Sequence, residues 1–521
     1  MSRFVFIVGF FAIIGFTQCS AAKILCVFPT PIRSHFIFAS GLMKGLAEEG
    51  HQVTVLSSFP AEKQLQNYRH IQIATGAQAD RKDLMEKFPL EGWSHFGTLR
   101  LTVNILRQTL QAANFTLHTA EFQRIARGES FDLIFVEMFF NTFLIGLGDH
   151  FKCPVITIFS APATEFINDM SGNPSTVAFV PHFLLGKATE MTFFNRFRNF
   201  AFVAVEKFIW AIINWREKIY YEHNFPSPKY KTYEEMKKNV SLIFVNDHFS
   251  VSPSKAFVPN VIPVGGLHVK TTPDHLPQEI QDFIDEAEFG VIFFSLGSNM
   301  KTSFLPPEML KTLIATLSKL QQKVLFKWED DDLADLPKNV MIQKWMPQAD
   351  ILAHENVKLF ISHGGLGAMN EARCHGVPIV GIPFFADQLL NLEAAEQEGW
   401  AVVLDSRGLT EENLSAAINE VLSDAKYQNA ARRASNLFRD RPMTALQTAI
   451  YWTEYVIRHR GASHLKSKAA DLLWLQKTSL DVVAVYLVLL WFIGRLSISF
   501  AIFWRRKHSR RINLASKSKQ N

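Results

Sequence analysis

Apolar and polar positions along the 521-residue chain fall into a recurring order: a short apolar run, a loop carrying Gly or Pro, then an amphipathic stretch. Residues 23–28 read as a strand buried on both faces. A turn-rich loop at 29–34 follows, then helical spacing at 36–49 that ends on Gly50, then a second apolar run at 52–56. That is a β-loop-α-β unit, the mark of a parallel sheet. Runs at 131–136 and 154–159 predict two further strands with a helix between them. A Gly/Pro-rich passage at 263–277 interrupts the pattern, which then restarts: strand 290–294, tight loop 295–298, helix 307–321, and strands at 323–326, 340–343, 357–361 and 379–382. Two such units in series predict an α/β protein of two Rossmann-like doubly wound domains facing a cleft. Ligands of such sheets sit beyond the carboxyl ends of the strands.

The two termini follow a different pattern. Residues 1–22 carry Arg3, an apolar run at 4–16 and small residues at 20–22, the order of a secretory signal peptide. Residues 481–504 are apolar except for Asp481 and Arg495. The 23 positions from Val482 onward would reach ~34 Å as a helix, enough to cross a ~30 Å hydrocarbon layer. Arg495 is costly at that depth. The basic tail at 505–521 sets the tail in the cytosol by the positive-inside rule, and its last five residues, with Lys517 and Lys519, resemble a dilysine retrieval signal of the endoplasmic reticulum. The expectation is a single-pass type I protein of the reticulum membrane with its body in the lumen. The formal charge of +5 resides in that tail, whose seven Lys/Arg leave 47 basic against 49 acidic residues elsewhere. A near-neutral body argues against a nucleic-acid partner. The cysteines are widely spaced and suggest neither a disulfide framework nor a zinc site. Sequons occur at Asn114, Asn239 and Asn413, as permitted glycosylation sites.

Candidate chemistry collects in the strand-end loops. Ser362-His363-Gly364-Gly365 feeds a helix through Ala368 and Glu371. A Gly-rich turn at a helix N-terminus offers free N–H groups to a phosphate, and His363 adds a donor, or a cation if protonated. Gly297-Ser298 supplies further donors. Glu371 has the chemistry to chelate two vicinal ribose hydroxyls, Trp345 to stack a base with the Gln348 amide beside it, and Asp387-Gln388 to hold sugar hydroxyls. Each has an ordinary structural explanation alone; together they describe a nucleotide-sugar site. In the first half His35 ends the loop after the first strand, where an imidazole suits a general base. Glu137 is the best-placed carboxylate to orient it, with Asp132 and Asp149 as the other choices.

These residues resemble a known family. Trp345-Met-Pro-Gln348, Phe360-Ile-Ser-His363-Gly-Gly365, Glu371, Pro378 and Pro383-Phe-Phe-Ala-Asp387-Gln388-Leu-Leu-Asn391 look like the signature of the UDP-glycosyltransferases. The animal, UDP-glucuronosyltransferase-like branch of insect type fits best, since Val264-Gly-Gly-Leu267, Ser295-Leu-Gly-Ser298, the leader, the late span and the basic tail match it. The resemblance implies a GT-B fold and an inverting transfer without a metal or other cofactor, UDP-sugar being a co-substrate. It implies an acceptor domain at 23–265, a linker at 266–285, a donor domain at 286–445 and helices at 446–480 crossing back before the span. By the same resemblance Trp345 stacks uracil, Gln348 contacts uridine, Glu371 binds ribose, His363 and Ser298 the diphosphate, Asp387 and Gln388 the sugar, and His35 is the base.

Four positions depart from the family pattern. Glu137 stands for an aspartate, Ala368 for Ser or Gly, Lys327 for an arginine, and Val245 for an arginine that pairs with a uronic-acid carboxylate. The last favours UDP-glucose as donor. The acceptor is expected to be a small lipophilic molecule bearing a hydroxyl or similar nucleophile, as in detoxification of xenobiotics. Phe139, Phe140, Phe143, Phe193 and Phe194 are candidates to line its pocket, and 200–215 either lies against the membrane or forms a core helix. The alternatives are a non-catalytic lipophile binder of the same fold, or use of a glucuronosyl donor. A nicotinamide oxidoreductase is set aside, because the first loop has no G-x-G-x-x-G.

Overall fold

The computed structural model describes residues 21–60, 65–73, 95–182, 190–298, 300–330, 333 and 336–517. Nearly all of the expected leader and the last four residues of the dilysine pattern lie outside them. The described chain separates into two compact units, one running through Lys466 and the other from Ser467 to Asn521.

The first unit contains two all-parallel sheets. One has seven strands: β1 (Lys23–Phe28), β2 (Gln52–Ser57), β3 (Tyr68–Gln72), β4 (Leu133–Glu137), β5 (Val155–Phe159), β6 (Val240–Val245) and β7 (Val261–Pro263). They lie in the order β3-β2-β1-β4-β5-β6-β7. The other has six: β8 (Val291–Ser295), β9 (Lys323–Lys327), β10 (Val340–Gln343), β11 (Val357–Ser362), β12 (Ile379–Gly381) and β13 (Ala401–Val403), in the order β10-β9-β8-β11-β12-β13. Each sheet reverses direction next to its first strand, so the switch points fall beside the loops after β1 and β4 in one half and after β8 and β11 in the other.

The central strands β1, β4, β8 and β11 are continuous apolar runs because both of their faces are covered. Helix α1 (Arg33–Glu48) covers one face of the first sheet with Phe38, Leu42 and Leu46. Helices α2 (Phe193–Asn224), α3 (Gln348–Leu352), α4 (Leu366–His375) and α5 (Gln388–Gln397) follow. Helix α6 (Ala445–Arg458) ends the body by returning to the first half, where Ala445, Ala449 and Val456 join the core beneath α1.

Several element bounds differ from the sequence reading. Glu137 is the last residue of β4 rather than the first beyond it, and Asp132 precedes that strand. Strands β3, β6, β7 and β13 are additional. β3 is polar (Tyr-Arg-His-Ile-Gln) and β7 and β13 have three residues each, so all three give weak periodic signals. Phe143 is fully buried, whereas Phe193 and Phe194 are exposed on α2 and line no pocket among the described residues.

In the second unit, helix α7 (Leu480–Lys517) contains a segment, Leu480–Ser509, long and apolar enough to cross a membrane. Such a helix suggests membrane anchoring. Within it the Arg495 guanidinium lies 5.9 Å from the Trp491 ring centroid, a cation–π contact that gives the lone charge one partner.

Candidate active site

The site forms where the strand-end loops of the two sheets meet. On the first-half side, His35 occupies the first turn of α1, and its Nδ1 lies 2.9 Å from Oε1 of Glu137 at the end of β4. β1 and β4 are hydrogen-bonded neighbours, which brings together residues 102 positions apart. The Glu137 side chain is buried and that of His35 remains partly open. The longer carboxylate therefore reaches the imidazole despite its extra methylene. The other two candidates are engaged elsewhere: Asp132 accepts from the Lys23 backbone N–H, and Asp149 from Lys231 and Asn239.

Phe139 meets His35 edge-on at 4.4 Å between centroids. It begins an aromatic chain through Phe140 (4.5 Å) and Trp210 of α2 (5.3 Å) to Phe166, which stacks on Trp210 at 3.8 Å. Phe140 has φ +56°, a conformation rare for a bulky residue. The Asn141 side chain holds the turn by accepting from the Phe139 N–H at 2.8 Å.

On the second-half side, α4 starts at Gly365 without a side-chain cap, so its first N–H groups are available to an anion. The His363 ring is buried against this turn. A Cβ on Gly297 or on Gly365 would lie 2.5 Å from it, and Gly297 also has φ +83°. Burial, reinforced by the Lys327 charge, lowers the His363 pKa to about 4. The imidazole is therefore neutral at physiological pH, which removes the cationic option. Its Nδ1 has no partner among the described residues. Lys327 ends β9, where it pairs with Glu329. Ser298 lies half-buried in the loop after β8, and Ala368 is buried in the first turn of α4.

Trp345 is half exposed and lies in the path from β10 to α3. The Arg33 guanidinium covers its ring at 4.2 Å. Glu371, inside α4, accepts from the Gln348 amide, and its other oxygen is 3.8 Å from His268 Nε2. Burial raises the Glu371 pKa to about 7, against the lowering effect of the Gln348 donor. His268 is held at about 4 by burial and contacts the Gly367 carbonyl oxygen at 3.2 Å. Before α5, Asp387 accepts from Asn391 Nδ2 at 2.7 Å, and the same amide donates to the Gly364 carbonyl oxygen. Burial pushes the Asp387 carboxyl up, against the lowering effect of the Asn391 donor. The Gln388 carbonyl oxygen accepts from the N–H groups of Phe384 and Phe385, so its NH₂ is the part left to meet a ligand. Val245 is fully buried at the end of β6, and the next residue, Asn246, accepts from Asn370 of α4 across the two halves.

The structure thus brings His35 and Glu137 into contact, gathers His363, Gly365, Ala368 and Glu371 on one turn and helix, and sets Gln348 against Glu371. Sequence reasoning missed Arg33, His268, Glu329 and Asn391 as supports of this site. His268 directly follows the quoted Val264-Gly-Gly-Leu267, and Asn391 closes the motif around Asp387, so both had a local signal. Among the described residues, no three His, Cys, Asp or Glu side chains converge as a metal site requires.

Comparison with known proteins places the chain by family and by fold. The family described as UDP-glucoronosyl and UDP-glucosyl transferase matches residues 22–511. A UDP-glucosyltransferase 2 of Dactylopius coccus is 38% identical over 491 residues, covering 92% of this chain and 93% of the relative. UDP-glucuronosyltransferase 2B7 of Homo sapiens is 29% identical over 472 residues, covering 87% and 88%. Among solved structures, the glycotransferase of kitacinnamycin aligns with a TM-score of 0.53 at 18% identity over 85% of this chain and all of that one. The calicheamicin glycosyltransferase CalG4 aligns at 0.51 and 18%, over 84% and 99%. At such identities the structural likeness establishes the fold, GT-B, and nothing finer.

Proposed function

The chain belongs to the UDP-glucoronosyl and UDP-glucosyl transferase family, and we propose that it moves glucose from UDP-glucose, with inversion, to a hydroxyl of a small lipophilic acceptor. The observation that carries this reading is the 2.9 Å contact between His35 and Glu137 beside the aromatic chain from Phe139 to Phe166. With Nδ1–H donating to Glu137, His35 Nε2 is the free basic nitrogen. It takes the acceptor proton while the acceptor oxygen attacks the anomeric carbon from the face opposite UDP. Glu137 stabilises the imidazolium that forms, as the carboxylate of a hydrolase triad does. The C1–O bond to the diphosphate breaks, and the departing charge meets the α4 N–H groups, His363 and Ser298, which act as fixed dipoles in a buried site. Trp345 and Gln348 hold the base, Glu371 the ribose, and Asp387 with the Gln388 NH₂ the sugar.

Two supports favour glucose: Val245 offers no cation to a uronic acid, and the Dactylopius coccus relative carries a glucosyltransferase name. The polyaromatic wall suits lipophilic acceptors. Cleavage of the leader, retention in the reticulum and a lumenal body belong to the same proposal, supported by the basic residues directly after the span.

The test is acceptor-dependent UDP release from membranes expressing the full chain, comparing UDP-glucose with UDP-glucuronate over phenols and aliphatic alcohols, with His35→Ala as control. Turnover of UDP-glucose that the variant abolishes supports the reading. Equal turnover of both donors would overturn the donor assignment. UDP-glucose binding without turnover across the panel would favour the non-catalytic binder.

A further inference from the structure

The buried stripe of α2 is polar where a core helix would be apolar. It carries Asn199, Glu206 and Glu217 alongside Val203 and Ile213. Asn199 donates to the carbonyl oxygens of Val177 and Val180, and Glu206 pairs with His182, so both hold the segment 177–182 after β5. Glu217 holds something else. It is fully buried. One of its oxygens accepts from the Thr142 N–H at 3.0 Å, and the other accepts from the Thr142 hydroxyl and, at 3.0 Å, from the Tyr233 hydroxyl. All three donors are neutral groups. Burial accordingly pushes the Glu217 carboxyl up, against the lowering effect of these donors. For stability alone, a well-packed apolar side chain serves at such a place as well as a buried carboxylate.

The position of Thr142 supplies the other reason. It stands five residues after Glu137, at the start of a short 3₁₀ turn, Thr142–Gly146. Between them runs the turn that carries Phe139 against His35 and Phe140 at φ +56°, a backbone that persists only where its surroundings hold it. Asn141 holds it from within, accepting from the Phe139 N–H and donating to the Thr30 hydroxyl at 3.4 Å. Helix α2 holds it from outside at two points. Trp210 meets Phe140 at 5.3 Å, and Glu217 grips Thr142. Seven residues apart, Trp210 and Glu217 lie on one stripe at ~100° per residue. Thr142 is itself fully buried, so its N–H has no solvent to turn to if Glu217 is removed. We infer that Glu217 is a positioning residue for the transfer: through Thr142 it fixes the turn that follows Glu137, and so sets how an acceptor meets His35. The inference rests on the roles proposed above for His35 and Glu137.

The test compares two variants of the full chain. Glu217→Leu is similar in size but accepts nothing, whereas Glu217→Gln still accepts from the Thr142 N–H. Amide hydrogen exchange over 138–146 is read against that of β8, and steady-state constants are taken for UDP-glucose and for two acceptors, para-nitrophenol and beta-naphthol. In Glu217→Leu, exchange at 138–146 should rise at least ~10-fold with β8 unchanged. Both acceptor KM values should rise ~10-fold while the UDP-glucose KM stays within ~2-fold. Glu217→Gln should recover the wild-type values to within ~3-fold. Unchanged exchange in Glu217→Leu would overturn the inference. So would a kcat lowered by one factor for both phenols at unchanged acceptor KM, which marks lost active protein only, or a Glu217→Gln as impaired as Glu217→Leu. The exchange readout needs no substrate. It decides whether Glu217 fixes the turn even if the wild-type chain turns over neither phenol, a result that would count against the proposed transfer instead.

Discussion

On the proposed ribose role of Glu371, this carboxyl sets the pH dependence of donor binding. Burial holds its pKa at about 7, whereas two ribose hydroxyls bind best to the ionised carboxylate. The proton and the donor therefore compete. With that pKa, about one-tenth of the sites are ionised at pH 6 and about nine-tenths at pH 8, so the apparent affinity rises ~10-fold across the window, or ~1.4 kcal/mol. His363 and His268 are both held at about 4 and stay neutral throughout. UDP-glucose is a diphosphate diester with no proton of its own to lose there. Glu371→Gln keeps the shape and removes the charge. At pH 8 it should weaken UDP-glucose by ~10- to 100-fold, the loss of charge-assisted hydrogen bonds, and its pH profile should be flat. The measurement is the UDP-glucose dissociation constant, by calorimetry or Trp345 quenching, at intervals from pH 6 to 8. A wild-type constant that does not fall with rising pH would refute the argument. A slope that survives in Glu371→Gln would refute it equally.

Three other outcomes are expected. Glu137→Gln should lower kcat by ~10²- to 10⁴-fold, because the amide can donate to Nδ1 and fix the tautomer that leaves Nε2 protonated; Glu137→Asp should recover part of the rate, and the UDP-glucose KM should barely move. Gly297→Ala should raise that KM at least ~10-fold in steady-state assays, since its Cβ would stand 2.5 Å from the His363 ring at φ +83°, where a side chain is itself strained. Gly45→Val should cost ~1–3 kcal/mol of stability, read as a lower Tm, because even a Cβ there lies 3.0 Å from Leu446 and 3.2 Å from Ile450 of α6.

Legibility in the sequence followed the physical range of each interaction. The central strands were readable because burial on both faces makes them continuous apolar runs, and the donor loops because each sits at a strand end within its own motif. The His35–Glu137 pair was readable as a candidate because both lie at ends of adjacent strands, although only the register of β1 on β4 brings them to 2.9 Å. His268 adjoins a quoted motif, but its approach to Glu371, like that of Arg33 to Trp345, was not readable. Both contacts depend on how the two halves meet, and no local pattern encodes that. Phe193 and Phe194 misled for another reason: the rule that apolar residues face inward fails on a helix whose polar side is the bonded, buried one.

On the proposed site assignment, the donor half receives a diphosphate without a strong resident charge. Lys327, the cation beside His363, already pairs with Glu329, and His363 is held neutral by burial. Burial pushes the carboxyls of Glu371 and Asp387 up as well, which disfavours negative charge facing the diphosphate. In that proposal the first turn of α4, which has no side-chain cap, opposes the phosphates with oriented N–H groups instead of ion pairs. Oriented dipoles need little reorganisation as charge moves onto the departing UDP, so their stabilisation is available at the transition state. They also bind the finished product less tightly than a ring of unpaired cations would, which favours release after transfer. On this reasoning Lys327→Arg does not improve the enzyme, because a stronger fork at that position meets Glu329 before it meets the nucleotide.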